Sequence, residues 1–380
     1  MPASIESLGT PLAYPVDQAA KTPAADAEGE RRLNLRTELR ALVGMQKEAL
    51  VHDGASGHVW RMACDEGPYL QGTDLAPFPL AFFTAGFVAS FLEEVLRHAA
   101  NAGAEVSDLE VTTDHFYTMQ GSALRGDMIG GAKPVQLGAK LSTNGDKDKI
   151  LRQAIATSPA EAYLRDGLSN RFSLTANDQH LELDLPQPGT TAGHPKGAFV
   201  HVPQKGADFH HPDLIQKLTA AEVLEGVEGG AGSSLKSVQD RTLHVRGEAK
   251  LVDESLKEIQ VRLFKPIGST FRFLSDSGAT AKAPSGPAYL VAGIGFCFMT
   301  QIGRYAHITR RALQSYNVVQ DTSFVLGTGE DQPTVAQPVD THVFLGLTEA
   351  NDVARRIVNM SERTCFLHAA MRGEFPTEWQ

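Results

Sequence analysis

Slid over itself by 207 residues, the sequence meets a second copy of its own pattern. Ala85-Gly86-Phe87-Val88-Ala89-Ser90-Phe91 falls on Ala292-Gly293-Ile294-Gly295-Phe296-Cys297-Phe298. The register continues with Val95 on Ile302, Arg97 on Arg304, Val111 on Val318, Asp114 on Asp321, Ile150 on Ile357 and Ser158 on Cys365. Upstream, with a shift of four residues, Trp60-Arg61-Met62-Ala63-Cys64-Asp65-Glu66-Gly67 resembles Phe271-Arg272-Phe273-Leu274-Ser275-Asp276-Ser277-Gly278. Several matches in one order read as two related units. At 380 residues the chain is also too long for one ordinary core. The expected division is a flexible arm over 1–34, a first unit over 35–185, a connecting segment over 186–240 and a second unit over 241–380.

Each unit reads alike. Alternating stretches such as LHVRGEAKLV and IQVRLFK predict strands. A loop carrying Pro and Gly leads to a long apolar helix, Leu80 to Asn101 in one unit and Ala288 to Gln314 in the other. Strands follow (DLEVTTDHFYTM and VQLGAKLS; YNVVQDTSFVLG and THVFLGLT), then a helix opening near Asn144 or Glu349 and ending around position 158 or 365. Antiparallel strands segregated from a few helices make the fold α+β. The uncharged runs Leu75 to Leu92 and Ala288 to Gly303 are at or below the length of a membrane span and run into charged helix, so they are expected to be buried in protein. Within the connecting segment, LIQKLTAAEVL reads as a short helical piece.

The formal net charge of −10 argues against a general nucleic-acid binder. Three cysteines make no disulfide scaffold and no zinc spacing, so neither metal nor cofactor is expected. The N-terminus lacks the pattern of a signal peptide, and a reducing, cytoplasmic setting is the default. His210-His211-Pro212-Asp213 invites a metal reading, but adjacent histidines rarely ligate one ion well. The glycines at 226, 229, 230 and 232 lack the strand-before, helix-after context of a phosphate loop.

The informative difference between the units is chemical. Positions 90 and 158 carry Ser90 and Ser158; the matching positions 297 and 365 carry Cys297 and Cys365, again 68 residues apart. With the Asp-x-Gly segment and the buried helix holding Ala-Gly-x-x-x-Cys-Phe, this pattern resembles the OsmC/Ohr family over roughly 40–185 and 241–380. The resemblance implies a curved antiparallel sheet packed around long central helices, with two units closing on each other as an intramolecular pseudo-dimer and room for a further homodimer. It also implies thiol-dependent reduction of organic hydroperoxides as part of a stress response. Cys297 would attack and Cys365 would resolve the sulfenic acid as a disulfide, with a thiol reductant restoring the pair. Ser90 and Ser158 can do neither, which leaves a degenerate site in the first unit.

Active peroxidases of that family carry Pro-Glu just ahead of the central helix; here the corresponding residues are Pro79-Leu80 and Gly286-Pro287. They also carry an arginine, for which Arg246 and Arg272 are the candidates. His368, three residues after Cys365, and Gln301, four after Cys297, are candidates to support the thiols by helical spacing. The bland readings are a space-filling cysteine in an apolar helix and a satisfied histidine. Cys64 reads as a structural residue in a strand, and Arg97 and Arg304 as structural residues shared by the units. The alternative to a peroxidase is a lyase, isomerase, hydrolase or binder that acts on a small apolar organic molecule in the pseudo-dimer cavity.

Overall fold

A computed structural model describes residues 3–22, 31–185, 187–200, 202, 213–220, 240–253 and 255–380. It is an α+β molecule with two sheets and two long helices at the centre. The helices, Pro79–Asn101 and Gly286–Ile308, are each 23 residues long. Each starts with proline in its first turn, where a missing N–H costs nothing. In the second, Ser285 adds a cap by accepting from the Ala288 N–H at 3.2 Å. Both helices are apolar on nearly all sides and would satisfy the length and composition of a membrane span. Protein covers 83% and 89% of those apolar windows, as a helix without a polar face requires.

The helices cross at glycines. A Cβ on Gly86 would lie 2.5 Å from the backbone nitrogen of Leu290, and one on Gly293 would lie 2.6 Å from that of Phe83. Residues 86 and 293 match at the 207-residue offset, and so do 83 and 290. The contact is therefore reciprocal. Any side chain there would hold the backbones apart.

Each sheet draws on both halves of the chain. In one, Val59–Cys64, Lys47–Asp53 and Arg32–Ala41 form an antiparallel meander, continued by Leu313–Val325 and Asp340–Leu347. In the other, Thr270–Ser275, Lys257–Lys265 and Asp240–Leu251 are continued by Val106–Gln120 and Gln136–Thr143. The seams are pinned alike. Arg36 grips Asp321 through two hydrogen bonds of 2.7 Å, and Arg246 grips Asp114 at 2.9 and 2.7 Å. Burial pushes the Asp114 carboxyl upward, but Arg246, His244 and Gln380 outweigh it and hold the group down to about 2.

The loop entering each central helix is built by an aspartate. Asp65 accepts from the N–H groups of Glu66, Thr73 and Leu75, and Asp276 accepts from those of Ser277 and Lys282. Arg61 is buried against Glu48 at 2.8 Å, while Arg272 lies 3.8 Å from Glu258 and donates to the Asp213 carbonyl at 3.0 Å.

Three expectations need correction. Within 1–34, Ala13–Val16 forms an edge strand on Val59–Cys64, because Ala13 and Tyr14 have a core to enter while Pro15 faces outward. In the described part of that stretch, Ala13–Val16 is thus built into the sheet and Ile5–Leu8 forms a short helix. LIQKL is likewise a strand, Ile215–Thr219, paired with Thr270–Ser275. Leu214 and Ile215 bury themselves against that sheet, and the edge hydrogen bonds outweigh the helical pattern. The second central helix stops at Ile308, well short of Gln314, because Arg310 turns into the left-handed region (φ 55°) and a strand opens at Leu313. His210, His211 and the glycines at 226, 229, 230 and 232 lie outside the described residues.

Candidate functional site: a buried thiol pair

Cys297 lies midway along the second central helix. Cys365 lies at a corner, ending the helix Asn351–Thr364 and capping Phe366–Arg372. The corner bends because residue 365 leaves helical geometry (φ −71°, ψ 120°); Ser158 makes the same corner in the first half (φ −67°, ψ 123°). The bend brings the two sulfurs to 3.4 Å. Both thiols are free, and Cys297 and Cys365 are 2% and 0% exposed.

Both halves furnish the walls. Strand Ile129–Ala132 passes so close that a Cβ on Gly130 would lie 2.9 Å from the Thr364 carbonyl oxygen. Tyr117 packs its ring 5.8 Å from that of Phe366, and burial, with both cysteines nearby, pushes its hydroxyl well up. His368 does face the site. It is fully buried, with its ring edge-on to Phe172 and Phe298 at 5.2 and 5.1 Å. Neither of its ring nitrogens makes a well-aligned hydrogen bond among the described residues.

The two thiols are not equivalent. Burial raises both, and for Cys297 the neighbouring Cys365 adds to the rise. For Cys365, burial is outweighed by its contact with Cys297 and by the adjacent His368, which bring it well below the usual thiol range. The two thiols titrate as a pair, so the opposite displacements belong to the pair and not to either sulfur alone.

Four residues that sequence reasoning missed, Thr300, Glu66, Tyr69 and Lys47, form a buried cluster that reaches Cys297 through the Glu66 charge. Thr300, one turn after Cys297, donates to Glu66 Oε1 at 2.7 Å, and Tyr69 donates to Oε2 at 3.2 Å. Burial pushes the Glu66 carboxyl up, opposed by Lys47, a lysine with no exposed surface whose Nζ donates to the Met45 carbonyl at 2.6 Å. Cys297 in turn feels the Glu66 charge. A signal existed, since Glu66 stands where the matched segment of the other half has Ser277. There the buried lysine is Lys257, and its carboxylate partner Glu93 comes from the helix instead of the loop.

The other candidates fall elsewhere. Arg246 and Arg272 are held by Asp114 and Glu258, and neither is brought to the thiols. Gln301 is buried on the same helix as Cys297. Arg97 pairs with Glu94 on its own helix, and Arg304 is buried. Cys64 ends a strand, fully buried.

The degenerate positions carry a prediction. Ser90 Oγ and Ser158 Oγ are buried without a hydrogen-bond partner among the described residues. An unsatisfied buried hydroxyl costs stability, so Ser90→Ala with Ser158→Ala is expected to unfold at equal or higher urea, with a gain of up to about 1 kcal/mol. A loss greater than that would mean the hydroxyls are in use.

Residues 279–380 match the family model of OsmC-like protein. That stretch is about the last quarter of the chain and contains both thiols of the pair. A similar solved structure is an OsmC-like hydroperoxide resistance protein from Jannaschia sp. CCS1. It is 22% identical over 33% of this chain and 81% of that one, with a TM-score of 0.22. No curated protein matches.

Proposed function

We propose that the protein is a thiol-dependent reductase of organic hydroperoxides, formed from two duplicated OsmC-like units that close as an internal pseudo-dimer with a single competent site. The observation that carries this reading is the pair of free thiols 3.4 Å apart in a buried site walled by both halves of the chain. Two sulfurs at that distance need to approach by little more than 1 Å to bond at about 2.05 Å. The resemblance assigns attack to Cys297 and resolution to Cys365. Attack begins once Cys297 has lost its proton. The Cys297 thiolate then takes the distal oxygen of the hydroperoxide, and the remaining alkoxide takes a proton and leaves as alcohol. Cys365 displaces water from the sulfenic acid to close the disulfide. An external dithiol, as a reducing cytoplasm would supply, returns both electrons. Because both sulfurs are buried, substrate reaches them only when part of their cover moves.

The test mixes reduced protein with cumene hydroperoxide, counts free thiols and traps sulfenic acid. The expected result is loss of two thiols per chain, abolished by Cys297→Ser. Cys365→Ser should instead leave a trappable sulfenic acid at Cys297. An unchanged thiol count would overturn the reading, and a sulfenic acid found only at Cys365 would reverse the roles.

A further inference from the structure

Away from the thiols, a cleft of about 720 Å³ opens where the second central helix ends, and it gathers basic residues in a chain of net charge −10. Arg310 and Arg311 come from the turn after that helix, Arg356 from the helix Asn351–Thr364, and Arg125 from the loop before Ile129. No aspartate or glutamate is among the residues that line it. Arg125 pairs with Asp127 at 2.9 Å, whereas Arg310, Arg311 and Arg356 have no carboxylate partner among the described residues. All three are exposed. Between them lies an apolar floor of Tyr305, Ile308, Val353 and Ile357. Burial pushes the Tyr305 hydroxyl up, opposed by the nearby charges of Arg356 and Arg311.

A helix C-terminus attracts cations to its dipole, and this accounts for Arg310 and Arg311. It does not account for Arg356, which sits in the second turn of a different helix, away from any helix C-terminus. Arg310 also holds a left-handed backbone (φ 55°), a conformation that costs a non-glycine residue of order 1 kcal/mol or more. Unpaired guanidiniums from separate segments around an apolar floor are a recognition arrangement for a planar or tetrahedral oxyanion with a hydrocarbon part.

We propose that this cleft binds a small amphiphilic organic anion, its carboxylate or phosphate head on Arg311 and Arg356 and its apolar part on Tyr305, Ile308, Val353 and Ile357. The site is separate from the thiol pair. Cys297 lies eight residues before Tyr305 and Cys365 eight after Ile357, each about 12 Å along its helix.

Calorimetric titration of the full chain tests this, using hexyl phosphate, hexanoate, inorganic phosphate and hexanol. The expected result is that at least one of the two hexyl anions binds tenfold or more tightly than both hexanol and inorganic phosphate, and the comparison of phosphate with carboxylate identifies the head group. Arg311→Gln with Arg356→Gln should weaken that binding by about tenfold or more, the effect of lost charge-assisted hydrogen bonds, without moving the unliganded Tm. Arg310→Gln with Arg311→Gln, both at the exposed turn, gives a second variant. Cys297→Ser should bind as the parent does, so failure of the peroxidase reading leaves this result standing. Hexanol binding as well as the anions, inorganic phosphate binding as well as hexyl phosphate, or undiminished binding in both double variants would overturn the proposal.

Discussion

Gly293→Val is expected to lower stability by about 3 kcal/mol or more, with Gly86→Val costing a similar amount. A Cβ at either position would come within 2.6 Å of backbone on the opposing helix. Backbone cannot swing aside as a side chain can, so the helices must separate and lose packing along their length. Urea denaturation measures the effect. A loss below about 1 kcal/mol in both variants would show that the crossing is looser than the geometry indicates. The two glycines meet matching positions on each other's helices, so the double variant should cost less than the sum of the two singles, because one separation relieves both clashes.

The second large effect is expected at Lys47. Lys47→Met removes the cation that opposes burial of the Glu66 carboxylate, and leaving a buried charge without compensation costs roughly 3 kcal/mol. The cost should depend on pH in a definite direction. Glu66 is raised in the folded protein above its ordinary value, so the folded state binds its proton more readily than the unfolded chain does. The Glu66 contribution is therefore fully present below the ordinary glutamate range and is lost as pH rises through the raised value. Without Lys47 that value climbs further and the window widens. Urea midpoints at pH 5 and pH 8 should differ more in Lys47→Met than in the parent, with the variant weaker at pH 8. Adding Glu66→Gln should abolish the extra pH dependence. A Lys47→Met protein equally destabilised at both pH values would remove Glu66 from the account.

The thiol pair was legible in the sequence because the two positions recur at one spacing in both halves, one in a long apolar helix and one at the end of a later helix. The helix placed Cys297, and the end of the later helix placed Cys365. The charges beside them were not legible. Lys47 and Glu66 come from a strand and a loop more than two hundred residues before Cys297, and no local pattern marks a lysine as buried. Arg246 and Arg272 illustrate the converse. Both are basic residues in early hairpins, where the resemblance calls for an arginine. Only the pairing partner across the strands, Asp114 or Glu258, shows that each is already engaged.

What the sequence determined by itself was the element plan: two long apolar helices, strands before and after them, and hydroxyls at two positions where the other half carries thiols. Periodicity and self-similarity are local properties, and they survive in a string of letters. The tertiary structure decided how those elements are shared. It ran each sheet across both halves, drew LIQKL and the N-terminal Ala13–Val16 in as edge strands, and closed the helix crossing on Gly86 and Gly293. It also brought Glu66 to Thr300 beside Cys297. These outcomes depend on which distant backbone or charge is available to satisfy a buried group, and that is settled only when the chain packs. The pairing of Cys297 with Cys365 lies between the two. The spacing marked the residues, and the corner at Cys365 brought their sulfurs together.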